Sequence, residues 1–573
     1  MATATPDSRH RRQRRQRRGR RLIASLAATG GALLVAAVLT RCGLPALGAA
    51  LAGTTAMAAG FAAALFAIRT MLGRASGIAG VAGAVIDEAV RMRATFVLLI
   101  LLVGLVPILP LLVDPAERLA YRVQFLIGWT LGGTGLILGL LTIFLACGSV
   151  CGDIDSGRIH MTLVKPLHRW EYLVGKWLGI ILYDLLLVVL AGAGSYTLVR
   201  MLAVGPAADA ADREAVDRQV LAARRAVPPG PDRPEDYAAA IDAAIARMEA
   251  DAADGPDAPG AAGGGATATG PNQATARRRI RHEYERQWHT VTPDMETTFV
   301  FPGLGMAGRR GEAVQLQVEP RVTNVDVDLA DVRFAIWING RPWPLRDGVQ
   351  AEVTLPSRVR HVFDLPAELV GQADDLRIRI ANRNLIPPGE TRPTAITFPP
   401  GDGMQALVRV AGFESNFVRC LLLMWAKIAM VAAVGVAAGA MFDLPAAIVA
   451  TLVVALAAVG GEFFRDALGT SGVAGGTAWS QAADRMSFAA AALGGLRFYE
   501  AFRILLGFVT DGFLWILPSF SADAAVSRLA TGIAIPLQSV ISRLVLFGCV
   551  YPLIVGAIGW VVFDRRDLVR SSS

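Results

Sequence analysis

Eight apolar blocks constrain this chain more than any other feature. They run over Leu22 to Leu39, Leu44 to Ala67, Ala94 to Val113, Phe125 to Cys147, Leu178 to Leu198, Val418 to Met441, Ala446 to Val459 and Leu544 to Val562. A hydrocarbon layer of about 30 Å needs about 20 apolar residues in helical form, and lipid offers the backbone no outside hydrogen-bond partner. The blocks show no strand-like alternation, so each reads as a helical span, the seventh reaching full length only with its flanks. Composition agrees, because 53% hydrophobic and 18% charged residues leave too little polar surface for a soluble chain of 573 residues. The predicted fold class is mainly α: a polytopic transmembrane helical bundle of about eight spans.

The net charge of +8 is concentrated rather than spread. Residues 1–21 hold nine arginines, in RHRRQRRQRRGRR, directly before the first block. Such a run can mark a nucleic-acid or anionic-lipid patch. Beside a span it reads better as the signal that keeps the N-terminus cytoplasmic, and no nucleic-acid partner is expected. A cleaved signal peptide is not expected either, since the block is long and a second follows at once. With that start, alternate loops carry the basic residues Arg69, Arg74, Arg91, Arg93, Arg158, Lys165, Arg169 and Lys176, and the chain ends in a basic tail. Both termini are therefore placed in the cytoplasm and the long polar insert of residues 202–416 outside a cytoplasmic membrane.

That insert has three predicted parts. Residues 206–250 read as charged helix, broken at PPGPDRP; residues 251–275 read as a disordered Gly/Ala/Pro linker. Over 297–410 the period switches to two, with VQLQVEP, VRFAIWING, VQAEVTLP and LRIRIAN separated by turn residues, which suggests a small antiparallel β-sandwich. Trp337 and Trp343 flank the Asn339–Gly340 turn and are read as core, with ligand stacking as the alternative. The insert contains no cysteine, so no disulfide framework holds it. Residues 496–517 are apolar but carry Arg497, Glu500, Arg503 and Asp511, and are read as an outer amphipathic helix rather than a span.

Chemistry-bearing clusters are few. Cys147 and Cys151 have no histidine or carboxylate partners, so no metal is expected, and the six histidines form no nucleophile–base pattern. No G-x-x-x-x-G-K-[ST] sequence occurs, so the chain should not hydrolyse ATP itself. Asp184 and Lys427 lie inside apolar blocks; intramembrane charges are functional candidates unless they pair or reach an interface.

The informative segment follows the fourth block: GDIDSGRIHMTLVKPLHRWEYLVGKWLG, residues 152–179. It resembles the permease subunits of ABC-2-type exporters, whose pattern here runs roughly E-x-E-x-G-T-x-x-x-L-L-x-x-P-x-x-R-x-x-x-x-x-G-K. Asp153, Asp155, Gly157, Leu163, Pro166, Arg169, Gly175 and Lys176 fall on that pattern, while Arg158 stands where threonine is usual. AGAVIDEAVRMR (82–93) is similar to the family's interfacial elbow helix, and GWVVFDRRDL to its last span.

The resemblance implies a six-span core. It comprises elbow helix 80–93, spans 94–113, 125–148 and 177–201 with coupling segment 149–176, then spans 417–441, 446–463 and 541–562. An additional hairpin, 22–68, precedes it. The resemblance further implies a permease dimer, homo- or heteromeric, exporting an unidentified substrate. A separate cytoplasmic ATPase would bind the ATP and dock on residues 149–176, so the chain carries no cofactor of its own. The competing reading is a membrane-anchored binding or scaffolding protein whose β-sandwich captures a ligand or partner.

Overall fold

The computed structural model describes residues 29–42, 44–72, 77–158, 168–254, 271–293, 295–322, 331–346, 348–384, 394–401, 403–467, 520 and 524–565. These divide into two compact units. The first is helical, and among the described residues six helices are long and apolar enough to cross a membrane. The second holds the β-sheets.

The helical unit opens with α1 (Thr29–Arg41) and α2 (Pro45–Leu72). Short α3 (Ile78–Ala89) follows, then α4 (Arg93–Ile108), which ends where Pro107 and Pro110 tighten the chain into a 3₁₀ turn. Next come α5 (Leu119–Asp155) and α6 (Arg169–Ala203). At 1.5 Å per residue both exceed 50 Å by rough estimate. They therefore outrun the predicted spans 125–148 and 177–201, and the polar residues on either side of 159–167 are helix ends rather than a separate element. After α7 (Ala210–Ala215) the unit resumes with α8 (Phe413–Met441) and with α9 (Leu444–Ala467), which belongs to it as far as Val459. It closes with α10 (Ala525–Ala530), α11 (Leu537–Val545), a π turn at Leu546–Val550, and α12 (Tyr551–Arg565). The first and seventh predicted spans correspond to the shorter apolar helices Thr29–Arg41 and Leu444–Gly460.

The main core gathers Val85, Ile86, Leu138, Leu141, Leu145, Tyr183, Leu187, Ala432, Val436 and Phe563, so α3, α5, α6, α8 and α12 share one apolar centre. A second cluster closes the far end of α5, where Leu119, Val123, Val199, Val216, Phe417, Leu529 and Ile535 meet. Polar side chains finish that end. Asp212 accepts hydrogen bonds from the backbone N–H groups of Leu119 (2.8 Å) and Ala120 (3.0 Å), capping α5 from 92 to 93 residues away. Arg213 donates to the carbonyls of Ala203, the last residue of α6, and of Gly205 just beyond the helix. A carboxylate at a helix N-terminus and a guanidinium at a C-terminus each complement the helix dipole. Asn416 Nδ2 donates to Ile533 O and its Oδ1 accepts from Ile535 N, which pins the 531–536 turn to α8.

In the second unit, strands β1 (Ala222–Val227), β2 (Gly230–Pro231), β3 (Glu296–Phe301), β4 (Val314–Val318), β5 (Asp331–Ile338), β6 (Val353–Pro356), β7 (His361–Leu365), β8 (Leu376–Asn382) and β9 (Met404–Gly412) build two sheets. Their orders are β1-β9-β4-β7 and β6-β5-β8-β3-β2, the latter with Arg341–Trp343 added beside β5. Alternate residues of both sheets, among them Phe299, Phe301, Leu316, Phe334, Ile336, Ile378, Ile380, Met404 and Ala406, form one buried cluster. That is a β-sandwich core.

The insert departs from expectation at its start. Residues 206–250 are not continuous helix: α7 runs into a π turn, and Ala222–Val227 is a strand beside β9 before helix Pro234–Asp254 begins. Ala222, Ala223 and Arg224 favour helix intrinsically, but an open sheet edge overrides that weak preference. The linker boundary moves too, because helix Pro271–Trp288 starts inside 251–275 with proline at its first position. Trp343 packs against the core and lies 5.8 Å from the Phe363 ring. Trp337 instead lies on the outer face with the Arg379 guanidinium 4.5 Å above its ring. The basic start 1–21 and the amphipathic stretch 496–517 lie outside the described residues.

Candidate functional site

The end of α5 and the start of α6 bracket the segment that sequence reasoning singled out. Gly157 terminates α5 with a φ of 66°, a left-handed conformation that glycine adopts without strain. Asp155, in the last turn of α5, is exposed, whereas Asp153 keeps only 13% of its side-chain surface. Helix α6 starts with a cap in which the backbone N–H of His168 donates to Glu171 Oε2 at 2.8 Å.

One turn further, Lys176 is almost fully buried, 3% exposed, yet its ammonium is saturated. Nζ lies 2.8 Å from Asp153 Oδ2 and 3.1 Å from Glu88 Oε2, and it donates to the carbonyl of Ser149 at 2.9 Å. Tyr172 Oη donates to the same Asp153 oxygen at 2.9 Å. One cation therefore joins α3, α5 and α6. Buried charges persist only where every hydrogen-bonding site is answered, as here. Burial raises the Glu88 carboxyl above its ordinary value, outweighing the opposing pull of Lys176.

The α3–α6 approach depends on Gly175 and Gly179, one turn apart on α6. A Cβ on Gly175 would sit 2.7 Å from Val81 Cβ, and one on Gly179 would sit 2.7 Å from Ala82 O. Small residues at this spacing let two helix backbones close up. On the other side Arg169 donates to the carbonyls of Phe563 and Asp564, both at 2.9 Å, and thereby caps α12. The Phe563 ring stacks on Tyr172 at 6.2 Å. The ends of three helices, α3, α5 and α12, thus converge on the start of α6.

Beside them α6, α8 and α12 border an apolar groove of about 550 Å³, walled by Trp170, Trp177 and Trp560 over Ala433 and Ala437. The remaining predicted residues are dispersed. Leu163 and Pro166 lie outside the described residues. Asp184 is fully buried deeper along α6, where its Oδ2 meets Thr142 Oγ1 at 2.9 Å. Lys427 donates to the carbonyl of Phe520 at 2.8 Å and lies 5.7 Å from that ring. Among the described residues no group of histidine, cysteine and carboxylate side chains could hold a metal ion.

Sequence reasoning missed Glu88, Tyr172 and Ser149. Glu88 could have been suspected, since it interrupts the face of α3 that carries Val81, Ala82, Val85, Ile86 and Ala89, and a lysine in an apolar helix calls for an acid.

Residues 132–215 match the family described as ABC-2 family transporter protein. The stretch covers most of α5, all of α6 and the Asp212 cap, so the resemblance found in the sequence is borne out. One similar protein is the uncharacterized protein YhcI of Bacillus subtilis (strain 168), 32% identical over 76 residues, which are 13% of this chain and 24% of the relative's length. No solved structure matches. With its apolar helices the chain is a multi-pass membrane protein, and its residues 132–215 are similar to the ABC-2 transporter family.

Proposed function

We propose that this ABC-2 family chain is the permease subunit of an exporter, moving its substrate across the cytoplasmic membrane at the expense of ATP hydrolysed by a separate subunit. The observation that carries the reading is the Lys176 clasp. It ties α3 and α5 to the start of α6 beside the family's docking position, while Arg169 adds α12. A soluble partner gripping residues 149–176 would move four helices together and shift the bundle between packings by differential contact.

In this reading Asp153 and Lys176 are anchors beneath the docking surface, and Asp155 and Gly157 belong to the surface itself. Both termini are cytoplasmic, insert 202–416 faces outside, and two permease copies form the working unit.

The test is co-purification of the full-length permease with its ATPase. Asp155→Lys reverses an exposed charge, and Gly157→Pro imposes a φ near −65° where the chain needs 66°. Each should reduce the ATPase recovered by about tenfold or more, the equivalent of ~1.4 kcal/mol of binding. Normal ATPase binding by both would refute the docking assignment.

The alternative reading is a membrane-anchored binding or scaffolding protein whose β-sandwich, a unit with a core of its own, captures a ligand or partner. Transport into vesicles with and without residues 206–410 would separate capture from conduction.

A further inference from the structure

Thr142 on α5 and Asp184 on α6 meet inside the bundle, and neither has any solvent exposure. Thr142 Oγ1 lies 2.7 Å from the carbonyl of Leu138 and 2.9 Å from Asp184 Oδ2. A hydroxyl carries a single proton, and a backbone carbonyl can only accept. The Thr142 proton therefore belongs to Leu138 O, the back-bonding partner usual for threonine in a helix. Its oxygen is left facing Oδ2 with lone pairs. Two acceptors do not rest at hydrogen-bond distance in a dry site without a proton between them, and only the carboxyl can supply it.

The surroundings agree. Asp184 Oδ1 has no hydrogen-bond partner among the described residues, a position open to the carbonyl of a neutral acid and not to half of a carboxylate. Among the described residues no cation answers the group either. Lys176 is committed to Asp153 and Glu88, and Lys427 on α8 donates to Phe520 O.

We propose that Asp184 is a neutral carboxylic acid whose Oδ2–H donates to Thr142 Oγ1, a charge-free clasp between α5 and α6. It lies eight residues beyond Lys176, roughly 12 Å along the helix at 1.5 Å per residue. The two helices that bracket segment 159–167 are then fastened at two depths and move as one lever. Asp184 is a donor in the packing, not a station on an ion path. The clasp itself does not depend on the transport reading.

Infrared spectroscopy of the purified full-length protein at neutral pH tests the protonation directly. A carbonyl band of a protonated carboxyl group should disappear in Asp184→Asn. Thermal unfolding supplies the second arm. Asp184→Asn keeps a donor and should leave the midpoint unchanged. Asp184→Leu and Thr142→Val should each raise the unfolded fraction by about five- to tenfold, the scale of one buried hydrogen bond, and should not add when combined. Absence of that band, a band that persists in Asp184→Asn, or an Asn variant as unstable as the Leu variant or unable to fold would each overturn the proposal.

Discussion

Lys176 stands between Asp153 at 2.8 Å and Glu88 at 3.1 Å, and the site therefore holds one more acidic than basic group. Removing the ammonium leaves two carboxylates facing each other out of water. Lys176→Met should cost about 3 kcal/mol, the scale for breaking a buried ion pair, and adding Glu88→Gln should restore part of it. Thermal unfolding in detergent reads both. Space decides the neighbouring position. Gly179→Ala places a methyl 2.7 Å from Ala82 O and 2.9 Å from Ala82 Cα, both backbone atoms that cannot step aside. The same assay should show a loss of about 1–3 kcal/mol, as for other overpacked sites. The sequence motif marked Gly175 and Lys176 by spacing alone. It could not show that one is a gap for α3 and the other a buried cation, because both roles depend on a helix 90 residues earlier.

Helices α5 and α6 are finished at one end by a single short segment, Asp212 capping the first and Arg213 the second. Burial pushes the Asp212 carboxyl upward, but three backbone N–H groups and Arg118 more than offset it, and the net shift is downward. A depressed folded value means that the stabilisation is complete above the ordinary carboxylate pKa, about 3.9. It is lost as pH falls through the lower folded value. Asp212→Ala should therefore cost about 1–2 kcal/mol at neutral pH, the usual scale for a lost cap, and the difference from the parent should vanish in strong acid.

In the sandwich, burial between Trp288 and Phe299 pushes His289 down to about 4. The unfolded chain takes up that proton first, so stability of this unit should decline as pH falls from about 6.5, the ordinary histidine value, and level off near 4. Trp288 fluorescence during denaturant unfolding would follow it, and His289→Gln should flatten the profile. Strand β1 is the element that sequence reasoning placed in the wrong class. Its alanines and arginines carry no strand pattern, and only the edge beside β9 makes it extended.

At the scale of the molecule, a helical bundle is interrupted by a sandwich with a separate core. The proposed ATPase coupling belongs here, since it requires that force on one polar segment reach several helices. The spans follow from composition because an apolar block of about 20 residues has few other stable states in a bilayer. The sandwich follows from its period of two, because alternate side chains of a strand must reach a core. The motif at 152–179 pointed to the ABC-2 family by residue type and spacing, which need no third dimension. The sequence by itself thus determined the apolar helices, the sandwich and the resemblance to the ABC-2 family over one segment. Only the tertiary structure decided that Glu88 completes the Lys176 clasp, that Asp212 caps α5 from 92 to 93 residues away, and that Asp184 faces Thr142 rather than a cation. Hydrophobicity and periodicity are local and additive along a chain, whereas a buried charge or cap is defined by the partner that meets it across helices far apart in sequence.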